Sequence, residues 1–258
     1  MALGPLVNEA VNGLRGLQQP LHGEETRVYL PAQAALDIFQ AVETLLSGLA
    51  VAKTVTLQQV SLARDMLATV VAFQWFNRAG TNHTLLETQL KVDGPRVADP
   101  QIRLFPKLRK GKKRVRHQDI PEVLVPVSCQ PRLAKLISQF KTVRSKVYRT
   151  SSSVASAKLW ALPGDKPSQW TSQVQTTWLQ NSMKFVGITA PRGCKYTSHS
   201  LRKGAATAAY VLQVPLEIIC YFGHWAVASK TVKEKYIDPS CRPSAAATFF
   251  FGWMLKPS

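Results

Sequence analysis

The chain has 258 residues, of which 45% are hydrophobic, so it can build one sizeable core or two small ones and is too apolar for a disordered protein. Its 33 lysines and arginines against 15 acidic residues give a net charge of +18, which favours a polyanionic partner, either nucleic acid or an anionic membrane. Four scattered cysteines argue against a disulfide framework, and no apolar run approaches the roughly 20 residues that span a bilayer. The first residues lack the charged start and long apolar centre of a secretory signal, so we expect none.

The first part of the chain predicts two helices. Residues 1–27 are polar and contain glycine, with only a short amphipathic piece. Apolar residues then recur at three- and four-residue intervals in 30–52 and again from about Leu57 to Asn77. We expect Gly80 to stop the second helix.

The pattern then changes from helical to β-like. Short segments at 88–94, 101–108 and 122–128 read as strands, and the basic turn "RKGKKR" at 109–114 separates the last two. The sequence therefore predicts a small antiparallel sheet.

The second half of the chain returns to a helical pattern. The Ser- and Pro-containing region 141–170 reads as a loose connection. The predicted helices are 132–143, 173–187, 198–214, 215–223 and 229–237.

The helix predicted at 198–214 begins with a His-x-x-Arg pair. Thr197 or Ser198 is a suitable N-cap, so His199 and Arg202 should share one face of the first turn. Four alanines at 205, 206, 208 and 209 keep this helix slim enough for close packing.

The next helix ends in Gly-His-Trp. Pro215 can open it at the first helical position, and Gly223 closes it. His224 therefore follows a helix C-terminus, where the negative end of the helix dipole favours a protonated imidazole. A helical hairpin of this kind would bring both histidines and Arg202 together.

Three interpretations compete for these residues. Taken singly, each histidine is more often an ordinary polar residue at a helix end. A zinc site would use Cys194, His199, Cys220 and His224, but this spacing only loosely resembles a Cys2His2 finger, and the residues between the pairs suit a core. The third interpretation makes both histidines partners of a phosphate.

The stretch "HSLRKGAATAAYVLQVPLEIICYFGHWAVASKTVKEKYIDPS" resembles the catalytic motif of the tyrosine recombinases, the phage-integrase family. It has His-x-x-Arg, a helix pair, Gly-His, and a tyrosine followed by an apolar residue. Upstream, "ARDMLATVVAFQWFNRAG" is similar to the family's segment that carries its first catalytic arginine, and "QIRLFPKLRKGKKR" to its hairpin that ends at a catalytic lysine. The residues around the motif, especially "HSLRKGAATAAY" and "YIDP", resemble most those of recombinases from eukaryotic DIRS-like or Crypton-like mobile elements.

The resemblance implies a mainly α fold with a small antiparallel β-sheet, the tyrosine recombinase catalytic domain, over residues 28–245. Residues 1–27 would then be a linker or a remnant of the family's N-terminal DNA-clamping domain. The tail, residues 246–258, is predicted to dock on a neighbouring subunit, so that the protein self-associates on DNA as a dimer or tetramer.

The catalytic set that the resemblance implies needs no metal and no ATP. The two arginines would bind the nonbridging oxygens of a DNA phosphodiester, and the tyrosine would attack phosphorus and remain joined to the 3′ end. The first histidine would act as base or oxyanion partner, the lysine would protonate the departing 5′ oxygen, and the second histidine would donate to a nonbridging oxygen. These residues are Arg78, Lys107, His199, Arg202, His224 and Tyr236.

A basic set is predicted to bind the DNA backbone or to serve nuclear targeting. Any of three lysines on the basic turn could replace Lys107 as the catalytic lysine. The predicted DNA-binding residues are Arg103, Arg109, Lys110, Lys112, Lys113, Arg114 and Lys203.

Two departures from the family pattern concern the catalytic residues themselves. The interval from His224 to Tyr236 is about one helical turn longer than in bacterial members, which could displace the tyrosine. Thr81 and Asn82 stand where an acidic residue often anchors Arg78.

The function expected from the resemblance is that of a site-specific DNA recombinase or integrase acting through a 3′-phosphotyrosine intermediate. Two alternatives remain open, a catalytically inactive DNA-binding module derived from a mobile element and a relaxing activity like that of type IB topoisomerases. Double-stranded DNA is the expected partner, with no membrane and no small-molecule cofactor. The expected compartment is the nucleus in a eukaryote and otherwise the cytoplasm with its DNA.

Overall fold

The computed structural model describes residues 26–94, 96–105, 123–149, 158–226 and 230–255. Residues 26 and 27 are described by their backbone alone. Within these ranges the chain is mostly helical. The helices are α1 (Ala32–Val51), α2 (Leu57–Gln74), α3 (Ala79–Asn82), α4 (Pro131–Arg149), α5 (Ser172–Phe185), α6 (Ser198–Val211), α7 (Leu216–Gly223) and α8 (Ala245–Phe251). The strands are β1 (Thr26–Arg27), β2 (Leu90–Val92), β3 (Gln101–Leu104), β4 (Val123–Pro126) and β5 (Cys194–Lys195).

The predicted antiparallel sheet is confirmed. Strands β2, β3 and β4 pair in that order, with Ile102 opposite Val125 and Leu104 opposite Val123. These four side chains are buried, as the two-residue alternation of a half-buried sheet requires. A separate parallel pair joins β1 to β5. The predicted turn at 109–114 lies outside the described residues.

Helix α2 is the central helix of the domain and packs against α1, α4, α5 and α6. Thr56 caps its first turn, and the reciprocal contact with Gln59 completes a capping box. The helix ends at Gln74 and not near Asn77, so the prediction of its end was wrong. The physical reason is Phe76, whose φ of 52° reverses the chain before Gly80 is reached.

Helix α1 is the one helix in the described part of the chain whose length and apolar composition would suffice to cross a membrane. This differs from the expectation that no such run exists. Its buried side, which includes Ile38, Phe39 and Leu46, packs against α2, α4 and α8. Such packing is typical of a core helix.

The region 141–170 is more ordered than the sequence indicates, apart from 150–157, which lies outside the described residues. Helix α4 continues to Arg149, and the chain returns at Lys158 with a bridge to Leu86. Trp160 is fully buried, and its indole N–H donates to the Asn82 carbonyl at 2.9 Å. A buried tryptophan with a satisfied N–H ties this segment to the core, so a loose connection was the wrong prediction.

The tail packs on its own domain. Phe250 and Phe251 of α8 are fully buried and contact Phe73 of α2, and Phe249 meets Phe39 of α1 edge to face at 4.9 Å. The buried side of α8 and Met254 after it therefore belong to the core of this chain. Docking of this segment on a second subunit stays a prediction, because no partner chain is present.

Helix α6 approaches the segment before α1 unusually closely at Gly204. A Cβ atom there would lie 2.0 Å from the Leu30 carbonyl oxygen, and Leu30 N–H donates to Ser200 O at 2.9 Å just beside it. We expect Gly204→Ala to lower the free energy of unfolding by about 1–3 kcal/mol, because the added methyl must displace buried backbone. Urea unfolding measures this.

The matched control is Gly48→Ala, an exposed position in α1 where a Cβ meets nothing within 4 Å. This change should raise the free energy of unfolding by roughly 0.5–1 kcal/mol, since alanine favours a helix. Equal urea midpoints for the two variants would contradict the close approach at Gly204.

Candidate active site

The start of α6 places Arg202 in the interior. Thr197 is the N-cap, as predicted, and its backbone N–H donates to Ser200 Oγ at 2.9 Å. Arg202 follows within the next turn and is only 2% exposed, whereas His199 is exposed. The alanines predicted to allow close packing of α6 are buried. The His-x-x-Arg pair is therefore split between the surface and the interior of the domain.

The Arg202 guanidinium is held by two main-chain carbonyls. One terminal nitrogen donates to Phe76 O, just after α2, and the other donates to Gly223 O at the end of α7. The Nε–H finds no hydrogen-bond acceptor among the described residues. Two helix ends thus fix the plane of this side chain, and its buried Nε–H is left without an acceptor of suitable geometry among the described residues.

Arg78 and Tyr236 are electrostatic neighbours of Arg202. Burial, together with the positive charge of Arg78, lowers the pKa of Arg202 to about 9, although the Tyr236 hydroxyl acts in the opposite direction. Arg202 Cζ lies 5.5 Å from the centre of the Tyr236 ring. Arg202 is still a cation at neutral pH, so a buried cation and a phenol lie together here, and a second positive charge acts on the cation.

The other buried arginines show what is unusual about Arg202. Arg64 is paired with Asp65 at 2.8 Å and Asp165 at 2.9 Å, and Arg144 with Glu87 at 3.0 Å. Among the residues that the structure describes, no carboxylate lies within ion-pair distance of Arg202. Because a buried cation without a counter-charge is costly, this site favours an anionic ligand.

Arg78 is the N-cap of α3 and is half-buried. The turn that it begins is anchored by Asn82, whose side-chain amide donates to Ala68 O at 2.9 Å and to the Gln175 side chain. Asn82 is fully buried. A buried amide thus fixes this turn to α2 and α5. The family pattern has an acidic residue near this position instead.

Asn82→Asp tests this anchor. The carboxylate would face two oxygen acceptors and lose both donated hydrogen bonds, so we expect the free energy of unfolding to fall by about 2–3 kcal/mol. Gln58→Glu makes the same change of charge at an exposed position and should leave the urea midpoint nearly unchanged. Similar midpoints for both variants would rule the anchor out.

Tyr236 ends a π-helical turn, Val232–Tyr236, where the sequence predicts an ordinary helix. Thr207 of α6 fixes this turn, because its hydroxyl donates to Tyr236 O at 3.2 Å and accepts from Asp238 N–H at 3.0 Å. The half-buried phenol lies beside Arg202 despite the longer interval after His224. The extra residues therefore do not displace the tyrosine from the site.

His224 follows α7 directly, as predicted, in the left-handed conformation with a φ of 51°. Pro215 is the N-cap of this helix and not its first residue. The carbonyl that precedes His224, on Gly223, accepts from Arg202, so His224 lies in the turn that binds the guanidinium. Trp225, which sequence reasoning left without a role, stacks on Arg202 with 3.7 Å between Cζ and the ring centre.

Most of the predicted basic residues are not placed. Lys107, Arg109, Lys110, Lys112, Lys113 and Arg114 lie outside the described residues. Arg103, a predicted DNA-binding residue, makes an ion pair with Asp93 at 2.8 Å. This carboxylate partly neutralises the charge that Arg103 would offer to a DNA phosphate. Lys203 follows Arg202 in the chain and is half-buried. Burial raises the pKa of the Cys241 thiol, and the positive charge of Lys203 lowers it by a smaller amount.

The zinc interpretation receives no support from the geometry. Across the described ranges, no three histidine, cysteine, aspartate or glutamate side chains are grouped so that they could hold a metal ion. Cys220 is fully buried in α7, whereas His199 is exposed.

The sequence matches no protein-family model and no curated protein. The fold resembles a solved structure of the XerH site-specific recombinase bound to a palindromic difH substrate, with a TM-score of 0.50 and 14% identity over 80% of this chain and 48% of that chain. It also resembles a lambda integrase dimer bound to a COC′ core site, with a TM-score of 0.48 and 15% identity over 86% of this chain and 62% of that chain. The chain thus spans less than two thirds of either protein chain.

At such low identity the similarity concerns the fold and not the chemistry. The chain has the fold of the tyrosine recombinase catalytic domain.

Proposed function

We propose that this protein cleaves and rejoins DNA strands through a covalent 3′-phosphotyrosine intermediate on Tyr236, as a site-specific recombinase. One observation carries the proposal. Arg202 is a buried cation without a carboxylate partner among the described residues, its Nε–H is unpaired there, the Tyr236 ring lies beside it, and the positive charge of Arg78 acts on it. A backbone phosphate bound to Arg202 would supply the missing negative charge beside Tyr236, the proposed nucleophile.

In the proposed cleavage step, Tyr236 Oη forms a bond to phosphorus, and the bond from phosphorus to the 5′ oxygen breaks. Negative charge grows on the nonbridging oxygens as the five-coordinate phosphorus forms. Arg78 and Arg202 bind these oxygens and stabilise the transition state more than the ground state. The leaving 5′ oxygen takes up one proton, and Tyr236 loses one.

Rejoining reverses these bonds. A 5′ hydroxyl attacks the phosphotyrosine, which conserves the energy of the phosphodiester, so no nucleotide cofactor is consumed. We assign the acid that serves the 5′ oxygen to Lys107 and the base for the phenol to His199, both from the sequence resemblance. His199 is exposed at the start of α6, where it can still approach a bound DNA strand.

Three further proposals rest on the sequence resemblance. The chain derives from a mobile element of the DIRS-like or Crypton-like kind, it acts in the nucleus if its source is eukaryotic, and it self-associates on DNA as a dimer or tetramer. Sedimentation of the protein with a saturating duplex checks the last of these. A single copy on each cleaved site would contradict it.

The test of the main proposal must work without a known target sequence. A library of randomised duplexes, each with one nick, is incubated with the protein, because a nick lets the cleaved fragment escape and traps the covalent complex. Protein with DNA attached after denaturation would support the proposal, and sequencing that DNA would reveal the site. No adduct, but salt-sensitive DNA binding, would favour the inactive binding module. Relaxation of any supercoiled plasmid would favour the topoisomerase-like activity.

A further inference from the structure

Trp225 contacts both the cation and the nucleophile of the candidate site. Its ring centre lies 3.7 Å from Arg202 Cζ and 4.9 Å from the centre of the Tyr236 ring. The first distance is well within the roughly 6 Å over which a guanidinium is attracted to an aromatic face. Among the described residues, Trp225 and Tyr236 are the aromatic rings within that range of Arg202.

The local backbone is shaped to bring the indole to this place. A Cβ atom on Gly223 would lie 1.8 Å from Cζ3 of Trp225, so the ring occupies space that only a glycine leaves free. The left-handed His224 reverses the chain, and Trp225 N–H then donates to Cys220 O at 2.9 Å. The Gly-His-Trp sequence therefore folds the indole back over the end of α7.

We propose that Trp225 is the positioning residue of this site: it supports the face of the Arg202 guanidinium, whose plane the two carbonyls fix, and holds the ring of Tyr236 for a bound phosphate. The inference rests on the proposed function. An aromatic face stabilises a buried cation without offering an acceptor for its N–H groups. A carboxylate in the same place would neutralise Arg202 and bind the Nε edge that the phosphate needs.

The first test separates positioning from DNA binding. With the nicked library or the site recovered from it, we expect Trp225→Leu to slow adduct formation at saturating DNA by about 10- to 30-fold. The DNA dissociation constant should stay within about twofold, because the phosphate contacts along the rest of the duplex remain. Trp225→Phe keeps an aromatic face and should restore most of the rate.

The matched control is Trp170→Leu, which removes another half-buried tryptophan, one that packs against Trp178 away from Arg202. Its adduct rate should equal that of the wild type. Equal rates for Trp225→Leu and the wild type would overturn the inference. The inference would also be overturned if Trp225→Phe reacted as slowly as Trp225→Leu while its urea midpoint equalled that of the wild type.

A second readout does not depend on strand cleavage. In protein with ¹⁵N-labelled arginine, the Nε–H resonance of Arg202 should carry a ring-current shift from Trp225 that Trp225→Leu removes. Titration with inorganic phosphate should perturb this resonance, with about fivefold to tenfold weaker binding in Trp225→Leu than in the wild type. Identical phosphate binding in both would overturn the inference.

The two tests also distinguish the inference from the proposed function. If the wild type forms no adduct with any duplex, the proposed function fails, and the phosphate titration still decides whether Trp225 orients Arg202 for an anion. If the wild type forms the adduct and Trp225→Leu forms it equally fast, the positioning role alone fails.

Discussion

Tyr236→Phe is expected to abolish the covalent protein–DNA adduct completely. Only the phenolic oxygen is removed, and this oxygen is the atom proposed to bond to phosphorus. The ring remains, so its contact with Trp225 and the packing of the π-helical turn should persist. The adduct is measured on nicked duplexes after denaturation, and DNA affinity is measured beside it.

DNA affinity should change by no more than about twofold in this variant, because binding depends on the many basic contacts of a chain with a net charge of +18. A loss of both adduct and affinity would point to a structural role for the hydroxyl. An adduct that survives at the wild-type level would exclude Tyr236 as the nucleophile.

Two exposed tyrosines supply the matched controls. Tyr210 is 37% exposed and Tyr221 is 46% exposed, so either could in principle reach a DNA strand. Among the described residues, the rings that Arg202 contacts are those of Trp225 and Tyr236, so each of these Tyr→Phe changes should leave the adduct unchanged. Tyr236 differs from them because its ring lies 5.5 Å from Arg202, the cation proposed to bind the phosphate.

The parts of the fold that depend on local patterns could be predicted from the sequence. Short β-like segments separated by turn residues indicate the sheet with β3 and β4, and the position of Thr197 indicates the start of α6. The spacing of His199 and Arg202 is likewise a local feature of one helix. The sequence resemblance then pointed to Tyr236 and Arg78, which the structure brings to Arg202.

The parts that depend on tertiary packing could not be predicted. Nothing in the sequence signals that Phe76, a bulky residue, adopts a left-handed conformation and ends α2 early. The contact of Trp225 with Arg202 arises only when α7 packs against α6, and a tryptophan after a helix could equally be exposed. The burial of Phe250 and Phe251 depends on the packing of α8 against α1 and α2, where Phe250 contacts Phe39 and Phe73.

Arg202→Met is expected to separate stability from activity. The side chain keeps its approximate length and apolar stem, and the buried charge disappears. Relief from desolvation offsets the loss of two hydrogen bonds to carbonyls, so the free energy of unfolding should stay within about 1 kcal/mol of the wild type. Adduct formation should fall by at least about 100- to 1000-fold, since a principal donor to the phosphate is removed.

Arg144→Met is the matched control, because Arg144 is as deeply buried as Arg202 but has a carboxylate partner in Glu87 and also donates to Ala161 O and Lys158 O. Its loss should lower the free energy of unfolding by about 2–3 kcal/mol, since a paired ion and two carbonyls lose their partner. Urea unfolding of both variants with and without duplex DNA measures the contrast. Added DNA should stabilise Arg144→Met more than Arg202→Met, because only the former retains the guanidinium that binds the phosphate. If Arg202→Met proves the less stable of the two, the cation at this site serves the fold and not a ligand.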